Sequence, residues 1–326
     1  MLKNMKPILY LAPMRGITNF TFRNVFYSFF QGFDLAVAPF ISGVNARRIK
    51  DSYFKDVLPV HNQEIPVIPQ ILTKSPEDFI FMAKRLYDLG HETINWNLGC
   101  PFAMVAKKGR GSGLLPHPEL IDLFLEKVIP AVPNNLSIKT RLGRNNPDEI
   151  FALMPVFNRY PLTELIIHPR TGIQMYEGVP DLNIFEECLD MSAHAVVYNG
   201  DIIDIDTFQR LSSRFKSVNR WMIGRGALIN PFLPGMIKAG CCIFNNKISI
   251  FKDFHEALFH AFDKVLDGPS HLLKRMKSFW DYFEQSFNNS RQVVKKIRKN
   301  KDIEQYRIIV HDFLEKEAKW TFDKQK

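Results

Sequence analysis

The chain has 326 residues, 46% hydrophobic and 24% charged, so it can bury a real core and by length is one large barrel or two domains. A formal net charge of +9 and a pI near 9.3 favour an anionic partner, nucleic acid ahead of a membrane surface. No uncharged apolar run of about 18 residues is present, no signal peptide precedes "MKPILYLAPM", and Cys100, Cys188, Cys241 and Cys242 show neither C-x-x-C nor metal-ligand spacing with histidine. The expectation is a cytoplasmic protein with reduced thiols and no metal.

Short apolar runs alternate with longer amphipathic stretches over the first 230 residues. In chain order the runs are "ILYLAPM" (8–14), "FDLAVAPF" (33–40), "PVIPQIL" (66–72) and "TINWNLG" (93–99), then "LSIKTRLG" (136–143), "ELIIHPRT" (164–171), "AVVYNGDI" (195–202) and "RWMIGRGAL" (220–228). The stretches between them read as helices. "SPEDFIFMAKRLYDLG" has Ser75 as N-cap, Pro76 in the first helical position and Gly90 at the C-terminal end. Eight alternating units predict an α/β protein with a parallel sheet closed into a (β/α)₈ barrel. A doubly wound sheet competes, but no G-x-G-x-x-G follows the first strand.

After about residue 245 the pattern is helical only, so the expected division is 1–244, a barrel, and 245–326, an all-helical C-terminal domain. That second part holds 17 Lys/Arg against 12 Asp/Glu, and "RQVVKKIRKNK" (291–301) contains six basic residues and no acid. A charge run is often a solvated face; here it also suits RNA phosphate, through Lys295, Lys296, Arg298 and Lys299.

In such a barrel, reactive groups sit at the C-terminal ends of the strands. Those positions hold Pro13, Met14 and Arg15, then Gln70, then Asn97 and Cys100, followed by Lys139, His168 and Arg170. The last two strands end in Asn199-Gly200-Asp201 and Gly224-Arg225. Polar groups in apolar strands are costly unless paired, so their gathering at one end points to a ligand. The two glycine turns suit a phosphate, and an inward Lys139 needs an anion, either in a structural ion pair or on a ligand such as a flavin. Gln70 can hydrogen-bond a flavin edge, and His168 and Arg170 share a strand face suited to one anion or polar ring. Cys100, between glycine and proline and followed by Lys107, Lys108 and Arg110, reads as an exposed cysteine in a stiff turn facing positive charge, which should favour thiolate.

"APMRGITNFTFRNV", "NWNLGCP", "GRGSGLL", "SIKTRLG", "IIHPRTGIQMYEG", "VVYNGDI" and "MIGRGAL", in that order, resemble the tRNA-dihydrouridine synthase family; the likeness continues more loosely in "HLLKRMKSFWDYF" (271–283). It departs at Pro169, where a small residue is usual, and at Trp221 and Met222, before "IGRG". The resemblance implies reduction of the uracil C5–C6 double bond in tRNA by a monomeric, FMN-dependent, NADPH-driven enzyme. Hydride would pass to C6 and a proton from Cys100 to C5. It also implies that Pro13, Met14, Arg15, Gln70, Lys139, His168, Asn199, Gly200, Asp201, Gly224 and Arg225 line the flavin, with Asn97 and Arg170 near the target base. The nearest alternative is an FMN barrel reducing a free pyrimidine or another small enone, which needs neither the basic loop at 107–110 nor the basic helices.

Overall fold

The computed structural model describes residues 6–42, 50–240 and 244–322; Cys241 and Cys242 lie outside them. Ten parallel strands form the sheet: β1 (Ile8–Leu11), β2 (Leu35–Val37), β3 (Ile41–Ser42), β4 (Val67–Ile68), β5 (Gln70–Leu72), β6 (Thr93–Asn97), β7 (Asn135–Gly143), β8 (Leu165–Thr171), β9 (Val196–Tyr198) and β10 (Arg220–Ile223). Their order is β3-β5-β6-β7-β8-β9-β10-β1-β2-β4. β4 and β5 are one stave interrupted at Pro69, whose ring offers no N–H to a ladder. β2 pairs with β4, β3 with β5, and β10 with β1, so eight staves close a ring. The expected barrel is the one observed, with the second and third staves each split in two.

Helices follow the staves. They are α1 (Phe20–Phe29), α2 (Pro76–Asp88), α3 (Ala103–Ala106), α4 (Pro118–Val128), α5 (Glu149–Asn158), α6 (Leu182–Met191), α7 (Ile205–Arg214), α8 (Arg225–Ile229) and α9 (Leu233–Ala239). α2 starts as the sequence predicts: Ser75 Oγ accepts the N–H of Asp78 at 3.1 Å, Pro76 occupies the first turn, and Gly90 follows with φ of 93°. Its buried Phe79, Met82, Ala83 and Leu86 recur at helical spacing and face the barrel wall.

The remaining helices are α10 (Lys247–Asp263), α11 (Pro269–Phe283), α12 (Arg291–Lys299) and α13 (Ile303–Lys316). They share one apolar core with the barrel helices. Phe254 of α10 stands edge-on to Phe22, Phe26 and Phe29 of α1 and to Phe30 just after it, at centroid distances of 4.9 to 6.4 Å. Each such ring stabilises the contact by about 1.5–3 kcal/mol through burial alone. This packing fixes α11 against the barrel mouth, where Tyr282 enters the cavity described next.

Candidate active site

The C-terminal ends of the staves surround a cavity that is open at its rim. Pro13, Met14 and Arg15 line it after β1, Asn97 at the end of β6 and Cys100 beyond it, and Lys139 and Arg141 on β7. His168 comes from β8, Asn199, Gly200 and Asp201 follow β9, and Gly224 and Arg225 follow β10. Asn199 Nδ2 donates to the Met222 carbonyl at 2.9 Å and ties the last two turns together. Gly226 must lack a side chain, because a Cβ would lie 1.8 Å from the Ile202 carbonyl oxygen.

Behind the wall runs a chain of amides. Ser137 Oγ donates to the Ile94 carbonyl (3.2 Å) and accepts from Asn95 Nδ2 (2.8 Å). Asn95 Oδ1 accepts from Gln70 Nε2, and Gln70 Oε1 accepts from Asn97 Nδ2, both at 2.7 Å. Asn97 Oδ1 then accepts the N–H groups of Gly99 (3.1 Å) and Cys100 (2.9 Å). Each link has one donor and one acceptor, so the amide orientations are set from end to end. Gln70 is fully buried behind the cavity lining, its Nε2 donating to Asn95 and its Oε1 accepting from Asn97.

Cys100 is 5% exposed, and this corrects the reading of an open turn. The "GRGSGLL" segment folds back over it. The Ser112 N–H and hydroxyl both donate to the Cys100 carbonyl, at 3.1 and 2.9 Å. Gly111, with φ of 57°, comes so close that a Cβ would sit 2.8 Å from that of Cys100. Arg141 holds the same turn through the Gly99 carbonyl (3.0 Å), and Arg144 through the Pro101 carbonyl (3.0 Å). Burial pushes the thiol pKa above its ordinary value, against the opposing pull of the Phe102 backbone, Arg15, Arg141 and Lys139. The thiol is therefore protonated at neutral pH. The expected lowering by Lys107, Lys108 and Arg110 is overturned: Lys107 and Lys108 point to solvent, and Arg110 donates to Ser42 Oγ at 3.2 Å.

Lys139 forms neither a salt bridge nor a side-chain hydrogen bond among the described residues, so no structural ion pair accounts for it. Protein packs around its stem while the ammonium opens on the cavity; desolvation first, and Arg141 second, lower its pKa to about 7. His168 is lowered well below the ordinary histidine range by burial and then by Arg141, Lys139, Arg170 and Arg225, so it is neutral. Its Nε2 accepts from Arg170 Nη1 at 3.2 Å.

Arg170 itself does not line the cavity. Its guanidinium is held by Asp201 Oδ2 (2.5 Å) and the carbonyls of Glu177 (3.1 Å) and Gly178 (2.7 Å), so it braces the wall. Asp201 also takes Arg225, and the two guanidiniums keep its carboxyl below the usual range despite burial. Lys107, Lys108, Arg110, Lys295, Lys296, Arg298 and Lys299 all lie outside the cavity.

Some wall residues escaped the sequence reading. Tyr176 lies under the guanidiniums of Arg225 (4.8 Å) and Arg141 (5.4 Å), an arrangement that orders both cations. Its place in "IQMYEG" was visible, its partners were not. Tyr282 arrives from α11, and no local pattern connects it to a strand end.

A dihydrouridine synthase family model matches residues 10–319. The chain belongs to the dihydrouridine synthase family. Among its relatives, a tRNA-dihydrouridine(16) synthase of Vibrio parahaemolyticus is 27% identical over 299 residues, covering 88% of this chain and 90% of that one. A probable tRNA-dihydrouridine synthase of Staphylococcus epidermidis is 27% identical over 323 residues, 94% of each chain. Among solved structures, the old yellow enzyme homologue from Zymomonas mobilis superposes with a TM-score of 0.54 at 12% identity, over 74% of this chain and 91% of that one, a likeness of fold.

Proposed function

We propose that the protein reduces the C5–C6 double bond of a uridine in tRNA to dihydrouridine, with FMN bound in the barrel cavity, NADPH as reductant and Cys100 as proton donor. One observation carries this reading: a protonated thiol and an ammonium without a counter-ion among the described residues line the same cavity. FMN fits these residues. Its anionic pyrimidine edge would meet Lys139 and its phosphate would meet Arg225 beside Gly200 and Gly224, while Pro13, Met14, Asn199 and neutral His168 complete the wall. Gln70, Arg170 and Asp201 brace that wall from behind or from its edge. When bound, the flavin supplies hydride chemistry.

The chain's own part is the proton. The Cys100 S–H bond breaks as a C–H bond forms at uracil C5 on the opposite face from hydride addition at C6. The thiolate left behind is stabilised by Arg15, Arg141 and Lys139, the same charges that oppose burial in the resting state. Asn97 lies beside the base and keeps the cysteine turn in place. Lys107, Lys108 and Arg110 at the rim and Lys295, Lys296, Arg298 and Lys299 on α12 would meet RNA phosphates. On this reading residues 1–244 are catalytic and 245–326 grip the tRNA in the cytoplasm.

The test is to supply the purified protein with FMN, NADPH and unmodified tRNA, and separately with free uridine. A yellow protein that adds two hydrogens to tRNA and leaves free uridine unreacted is expected. Turnover of free uridine in preference to tRNA, or no conversion of either, would overturn the proposal.

A further inference from the structure

The turn after Cys100 exposes two apolar side chains at a place rich in charge. Phe102 is 47% exposed and forms the cavity lip beside Pro101, and Met104 is 81% exposed. Met104 stands on α3, anchored by its buried neighbour Val105, and Lys107 and Lys108 follow directly at and beyond the end of that helix. Gly109, with φ of 66°, then bends the chain so that the Lys74 ammonium comes within 3.5 Å of where a Cβ would be. Lys74, Lys107 and Lys108 are exposed, and none of them forms an ion pair among the described residues. A single exposed methionine is ordinary. An apolar lip that runs from a cavity onto three free cations is not.

That sequence of surfaces matches one ligand chemistry: a single-stranded nucleic acid, whose bases have apolar faces and whose backbone is anionic at every step. We propose that Phe102 and Met104 are a stacking platform for the nucleobase adjacent to the one held in the cavity. Lys74, Lys107 and Lys108 hold the phosphate between those two nucleotides. The platform rests on the reading of the cavity as a uridine site and adds to it a second base subsite and a further phosphate ligand, Lys74. Stacking there would also offset part of the cost of drawing the target base out of its stack.

The experiment compares wild type with Met104→Ser, with Phe102→Ser plus Met104→Ser, and with Lys74→Ala. Kd and KM for tRNA are measured over a range of salt, and thermal unfolding checks the fold. Loss of one stacked base should raise Kd at least roughly fivefold. The salt slope should stay at the wild-type value in both serine variants, because an apolar contact releases no counterions. Lys74→Ala should instead lower that slope by somewhat under one unit. As a direct probe, 2-aminopurine beside the converted uridine should be quenched on binding by wild type and not by the double variant. Wild-type Kd and quenching in the serine variants would overturn the platform. If wild type converts no uridine yet binds tRNA in a Met104-dependent way, the reaction assigned above fails and the platform stands.

Discussion

His168 at the barrel mouth and His255 in the helical region are 7% and 4% exposed, and loss of water pushes both below the ordinary histidine pKa. Their surroundings differ. His255 Nε2 meets the Tyr306 hydroxyl at 2.8 Å, and that hydroxyl accepts the Trp280 indole N–H at 3.0 Å, a buried trio closed on itself. His168 instead faces a cavity together with Lys139, Arg141 and Arg225, with Asp201 as the anion among them. Like charges gathered around a cavity destabilise the fold unless something anionic completes them. The same buried residue type is packing in one region and part of a ligand site in the other, and its neighbours decide which.

That contrast can be broken from the helical side. Folded, His255 protonates only near pH 4, against about 6.5 for an unfolded histidine. Because the unfolded chain binds the extra proton, stability is complete above pH 6.5 and falls as pH drops from there to 4. The total is roughly 3 kcal/mol, at about 1.36 kcal/mol per unit. Thermal unfolding across this range should show that slope in wild type and a flatter one in His255→Asn. Equal slopes would show that His255 is not the closed packing residue described.

At the mouth the corresponding group is Lys139, with its pKa near 7. An anionic cofactor needs the ammonium form, so FMN affinity should weaken by up to about tenfold per pH unit above 7, as the free protein loses that proton. FMN titrations at rising pH should show the trend in wild type and lose it in Lys139→Met. Parallel curves would remove Lys139 from the flavin site.

The smallest effect belongs to α12. Arg298 there is tied to Glu284 (2.9 Å) and Asp281 (3.4 Å), whereas Lys295, Lys296 and Lys299 are exposed. Replacing all four with Ala should lower the salt slope of tRNA binding by somewhat under one unit per lost phosphate contact and raise KM more than it lowers kcat. Arg298→Ala alone should change the slope least. An unchanged slope in the fourfold variant would assign RNA binding to the barrel mouth.

Most of the barrel was legible because each stave is a short apolar run between capped amphipathic helices, and Pro69 within "PVIPQIL" marks the break between β4 and β5. The strand-end residues were legible because a barrel puts them together wherever they lie in the chain. What the sequence concealed were partners from other staves. Gln70 meets Asn95 and Asn97, and Arg170 meets Asp201, and no local pattern reports either pairing. Cys100 read as exposed because "GCP" is a turn; its cover, Gly111 and Ser112, comes from chain that folds back over it. The charge run on α12 was visible, yet Arg298's carboxylate partners lie on and just beyond α11.

The chemistry assigned to the mouth is tested most directly in Cys100→Ala by separating the two half-reactions without oxygen. FMN reduction by NADPH should match wild type, because no step of it uses the thiol. Reoxidation of the reduced protein by unmodified tRNA, followed together with dihydrouridine formation, should slow by roughly 10²–10⁴-fold, the range for loss of a general acid. Wild-type reoxidation with full dihydrouridine yield in Cys100→Ala would contradict the assignment of Cys100 as the proton donor.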